Sequence, residues 1–225
     1  MIKRVVSDWR QFVDEVSWLL GANESANVGD SRPWSRGTID ELPQMSRLLT
    51  TATVTPIQVG ELNLELLAWG PPDARRGWLC LPPETGRLDD VHPLHERMLT
   101  LTGGILERFG EPKSWWNNQA EVLTISAAHV SVADVLEDYA WLWHDDGLEM
   151  PIDPTHYYAV SVEANGNLSL VHRVTGELIL FAPDHAFDDV TPLPGCPPYS
   201  LMTINGVPDL RTWIEHCSAP WLQGL

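Results

Sequence analysis

His156–Pro183 reads HYYAVSVEANGNLSLVHRVTGELILFAP. Tyr157, Ala159 and Ser161 alternate with Tyr158, Val160 and Val162, and the same two-residue period returns in Leu168–His172 and Leu178–Phe181. Period two is the signature of a strand, because successive side chains point to opposite faces of the pleat. Asn165-Gly166 and Thr175-Gly176 interrupt the alternation. Asn-Gly between alternating runs is a strong hairpin signal, since glycine accepts the positive φ that a tight turn requires. Three antiparallel strands are therefore expected here, and an antiparallel meander anchors the rest of the reading.

Outward from the meander, strands and helices come in blocks. TATVTPIQVGELNLELLAWG predicts two strands turning near Gly60, with Pro56 confining the first to a sheet edge because proline offers no N–H to a ladder. Trp78–Leu81 reads as a further short strand. Helical periodicity marks four segments: one from Ser7 as N-cap to Gly21; one from Pro93 to Gly103-Gly104; one over SVADVLEDYAWLWHDDG, capped by Ser131; and one over VPDLRTWIEHC. No βαβ repeat occurs. The expected class is α+β, an antiparallel β-sheet with helices packed on one face or one end. A chain of 225 residues without a linker-like tract is expected to form a single domain, 1–225, with an N-terminal elaboration over 1–88 and a core over 90–217.

Charge restricts the partners. The net charge is −17, and it is uneven: residues 1–110 hold 11 basic and 15 acidic side chains, whereas residues 111–225 hold 3 and 16. A field of that sign repels nucleic acid and anionic membrane and draws in cations. No apolar run reaches the ~18–20 residues needed to cross a bilayer, and Asp8, Trp9 and Arg10 break any signal-peptide core after Lys3-Arg4. The three cysteines, Cys80, Cys196 and Cys217, show no CxxC spacing, so neither a zinc knuckle nor a disulfide framework is indicated. A cytoplasmic location is the simplest expectation.

Catalytic motifs are missing from the sequence. It contains no GxSxG, no GxxxxGK[ST], no GxGxxG and no HExxH. His92-x2-His95, His144-Asp145-Asp146 and Asp184-His185 are nitrogen and oxygen donor sets, so a metal-dependent hydrolase using His144, Asp145, Asp184 and His185 stays open as an alternative. The leading expectation is a non-enzymatic binding protein that needs no cofactor. Its contact residues would be Glu163, Asp184, Asp188 and Asp189 at strand ends, Asp145 and Asp146 after the long helix, and Trp115 or Trp116 as an apolar anchor. FAPDHAFDD, Phe181–Asp189, would then be an acidic lip with Phe181 and Phe187 tucked inward.

HPLHERMLTLTGGILERFGEP, followed by the meander with Asn165-Gly166 and Thr175-Gly176, then Phe187 and a terminal helix, resembles the SMI1/KNR4-like, or SUKH, superfamily over about residues 90–217. The chain departs from that pattern by its long N-terminal portion and by lacking a Leu-Pro-x-x-Tyr helix start before the Gly-Gly turn. The resemblance implies an α+β binding module without catalysis. Many bacterial members are immunity proteins that neutralise toxins, often nucleases, and a fungal branch acts as a regulatory scaffold. Carried to this chain, it implies a basic protein partner, such as a toxin domain, held through the acidic half.

Overall fold

A computed structural model describes residues 7–21, 24–86, 88, 90–112, 119–184 and 187–225. The meander folds as its alternation dictates. Strands β8 (Tyr157–Glu163), β9 (Leu168–His172) and β10 (Leu178–Phe181) pair antiparallel in chain order. The two turns place Gly166 at φ 91° and Gly176 at φ 74°. At Gly176 a Cβ would also come within 3.0 Å of the His92 ring, so glycine is required there twice over.

The sheet extends in both directions from these three strands. On one side lie β12 (Leu201–Ile204) and the edge strand β11 (Val190–Pro192). On the other side β7 (Gln119–Val122) and β6 (Ile105–Phe109) lead to β5 (Arg76–Cys80), β4 (Leu62–Trp69) and β3 (Thr53–Val59). Two short strands, β1 (Ala26–Val28) and β2 (Arg32–Pro33), finish that end on β3. Pro56 is therefore not on a bare edge. Its carbonyl accepts from Gly29 N–H at 2.9 Å, and its missing N–H lies on that same side, in the gap between β1 and β2, where no ladder bond is needed.

Helices cover both faces of this sheet, which corrects the expectation of one covered face or end. On the first face α2 (Pro43–Thr50), α3 (Pro93–Leu101), the short α4 (Ile125–Ala128) and α7 (Leu210–Ser218) bury Leu48, Met98, Ala128, Trp213 and Ile214 in one core with Leu67, Tyr158, Val160 and Leu180. The opposite face is covered in two places. There α1 (Asp8–Glu15) sets Phe12 on Leu66 and Phe109, while α5 (Val132–Asp138) and α6 (Trp141–His144) set Leu136 and Trp143 on Ala159, Leu170 and Phe181. A sheet covered twice must be apolar twice, and β9 and β10 accordingly bury nearly every residue.

The early and late parts of the chain share a core. Trp69 and Trp78, on β4 and β5, meet Trp221 near the C-terminus with ring centroids 4.8, 5.6 and 5.4 Å apart, each pair close to edge-to-face. Glu215 of α7 accepts from the Gln44 and Met45 N–H groups, which have no intrahelical partners because they open α2.

Two helices are shorter than their periodicity predicts. α1 stops at Glu15, where Val16 leaves helical geometry at φ −100°, ψ 58°. SVADVLEDYAWLWHDDG divides into α5 and α6, with Tyr139 at φ −104°, ψ 12° between them. The break falls in a run of aromatic residues, which are weaker helix formers because the preceding turn restricts χ1. It lets Tyr139 lie edge-on to Phe181 at 5.3 Å while Trp143 docks separately. Among the described residues no helix is long and apolar enough to cross a membrane.

Candidate functional site

The acidic half has a definite outer surface. Ser131 caps α5 by accepting from the Asp134 N–H. With Val132 and Leu136 turned inward, the helical period sends Asp134, Glu137 and Asp138 to solvent. Asp145, Asp146 and Glu149 continue that exposed series beyond α6. Among the described residues none of these six carboxylates has an ion-pair partner. The sequence explains why: it places no Lys or Arg between Lys113 and Arg173.

An aromatic side chain stands in the middle of this surface. Trp143 is buried, and Trp141, two residues earlier and so on the other side of the helix, is 55% exposed. The Trp143 indole N–H donates to Cys196 Sγ at 3.4 Å, which fastens α6 to the 193–200 loop. Ser200, at the end of that loop, accepts from the Ala182 N–H at 3.1 Å, so the loop also borders the segment leading to Asp184. Tyr199 is 48% exposed and sits at φ 60°, a left-handed conformation unusual for a non-glycine residue. Through these contacts α6 and the segment after β10 both border the 193–200 loop, and Trp141, Asp145, Asp146, Asp184 and Tyr199 are exposed.

Not every expected contact residue joins them. Asp188 and Asp189 are exposed, but the Asp189 carbonyl accepts from Asn205 N–H at 2.8 Å, at the far end of β12 from Ser200. Five residue steps separate Ser200 from Asn205, about 17 Å at ~3.3 Å per residue. Ala182 and Asp189, the residues of FAPDHAFDD that these bonds place, therefore stand at opposite ends of β12. Phe181 is fully buried and Phe187 packs partly against the core, while His185 lies outside the described residues.

Glu163 needs a correction. It does end β8, but β7 and β9 flank it and leave it 4% exposed, so it cannot meet a partner from that position. Asn167 Nδ2 donates to Glu163 Oε2 at 3.0 Å, which gives the buried carboxylate a structural role. Trp115 and Trp116 lie outside the described residues.

His144 and the His92/His95 set lie on different helices, α6 and α3. His144 is exposed at the end of α6 beside Asp145. His92 caps α3, its Nδ1 accepting from the Leu94 N–H at 3.2 Å, and partial burial lowers its pKa. His95 is fully buried and stacks on Tyr158 with centroids 5.6 Å apart. Among the described residues no three His, Cys, Asp or Glu side chains converge as a metal would require.

Sequence reasoning missed Trp141 and Tyr199. Trp141 was legible, because it lies off the stripe that Val132, Leu136 and Trp143 share. Tyr199 carries no such local signal. No protein-family model matches the chain, and neither a curated protein nor a solved structure matches it.

Proposed function

We propose that this chain is a non-enzymatic, cytoplasmic binding protein of SMI1/KNR4-like type, an immunity protein that neutralises a basic toxin. What supports the reading is the outer surface of α5 and α6: six exposed carboxylates without cationic partners among the described residues, with Trp141 also exposed there. Carboxylates left uncompensated across one face repel each other, and an opposing basic surface relieves that repulsion. A nuclease must carry such a surface to hold phosphates, and an acidic protein can occupy it by imitating the substrate's charge. Trp141 would supply the desolvated anchor that charge alone does not provide. Long-range attraction would raise the association rate ~10–10³-fold at low salt and fade as salt screens it.

The test joins a capture and a rescue. Tagged chain is exposed to lysate at low salt, the retained protein is identified, and cells expressing it are grown with and without this chain. The expected result is one dominant basic protein whose toxicity the wild type suppresses and a Trp141→Ala, Asp145→Asn, Asp146→Asn triple variant does not. Equal protection by the triple variant, or a retained set that ignores salt, would overturn the assignment.

A further inference from the structure

We propose that the cleft at the opposite end of the sheet binds a small monocarboxylate with an apolar tail, received by Arg173. The cleft encloses about 410 Å³, within the range typical of small-molecule sites. Val91, Ile125, Ala128, Val130 and Pro154 supply apolar walls, and Arg173 lines it just beyond β9. Tyr157 and Arg173 mark the end of the β8–β9 hairpin remote from the Ala182–Ser200 contact, and the cleft meets the acidic surface only where Ser131–Ala133 open α5.

The state of Arg173 carries the inference. Its Nε donates to the Thr155 carbonyl at 3.3 Å, its Nη1 donates to the Asp90 carbonyl, and its guanidinium lies 5.4 Å over the Tyr158 ring. These three contacts fix the plane of the group, yet none of the partners is a carboxylate. Arg36, Arg75 and Arg97 are treated differently, each held by Glu65, Asp8 or Glu41. Among the described residues Arg173 has no ion pair, and its Nη2 makes no hydrogen bond. A guanidinium that is held rigid, open on one edge and, among the described residues, without a carboxylate partner is a ready receptor for a carboxylate, because little order is lost when the anion arrives.

A second donor stands on the same cleft. Ser131 Oγ accepts from the Asp134 N–H, so its own proton remains free to give. The Tyr157 hydroxyl is already committed to Glu177 at 3.3 Å. The ligand's charge is limited from the other direction. Asp90 also borders the cleft, and residues 111–225, which supply most of its lining, are net −13, so one cation suits a monoanion and not a phosphate dianion.

The test is an amide NMR titration of the full chain with hexanoate, with hexanol, hexylammonium and inorganic phosphate as comparators. Hexanoate should give saturable shifts at Val130, Ser131 and Thr155, with the comparators at least about tenfold weaker. Arg173→Gln should weaken hexanoate by about tenfold or more. Ala133→Leu, which fills the cleft from α5 while keeping Arg173, should abolish binding, and it decides the matter if Arg173→Gln misfolds. The proposal fails if hexanoate gives no saturable shifts, if hexanol binds as well, or if Ala133→Leu binds like the wild type.

Discussion

Acid should unfold this protein partly through one histidine. His95 sits on α3 with its ring flat against Tyr158, and burial is the main reason its pKa is pushed from 6.5 down to about 4. Neighbouring His92 works in the same direction and the Leu123 backbone against it, although neither ring nitrogen makes a hydrogen bond of normal geometry. Between those two pKa values the unfolded chain binds a proton that the folded chain refuses. The stability this represents is complete above pH 6.5 and drains away as pH falls toward 4. Between pH 7.5 and 4.5 the loss is about 2.5 kcal/mol, a large share of a typical stability of ~5–15 kcal/mol. His95→Phe keeps a stacked ring and removes the titration. At pH 7.5 it should lie within about 1 kcal/mol of wild type, since no good hydrogen bond is lost. Urea melts followed by tryptophan fluorescence at both pH values give the comparison. Carboxyls such as Glu41, whose pKa Arg97 lowers, titrate alike in both proteins and cancel in the difference. The variant should gain about 2.5 kcal/mol on the wild type as the pH drops. Parallel stability curves would mean that the ring reaches water, and the burial argument would be wrong.

Other substitutions probe other parts of the structure. Trp221→Ala should cost about 3–5 kcal/mol and leave a single urea transition, because Trp221 joins Trp69 and Trp78 in one core; two transitions would show the early and late parts folding separately. Glu163→Ala should cost about 1–3 kcal/mol in the same assay by leaving the buried Asn167 amide unpaired, whereas Asp188→Asn should stay within about 0.5 kcal/mol. Asp8→Ala removes both hydrogen bonds that Arg75 makes to that carboxylate and should destabilise the α1 contact by about 1.5–3 kcal/mol. Asp145→Asn with Asp146→Asn should leave the melting temperature unchanged while flattening the salt dependence of partner binding; a marked fall in melting temperature would point to a structural role.

The sequence by itself determined the meander, its two glycine turns, the caps at Ser7 and Ser131, and the concentration of acid in the later half. These are local features: period two, a positive φ, an oxygen three residues ahead of an N–H, a count of charges. Only the tertiary structure decided that helices cover both faces, that Glu163 is enclosed while Asp145 is open, and that Ala182 and Asp189 stand at opposite ends of β12. Alternation along a strand shows which residues share a face, but not which neighbours flank the strand or what lies over it. Those depend on pairings between segments far apart in the chain, such as β5 with β6 or Trp78 with Trp221. The same holds for Arg173, which as a residue in a turn is unremarkable. It becomes a candidate receptor only where folding brings the carbonyls of Asp90 and Thr155 and the ring of Tyr158 around it, with no carboxylate among the described residues paired to it.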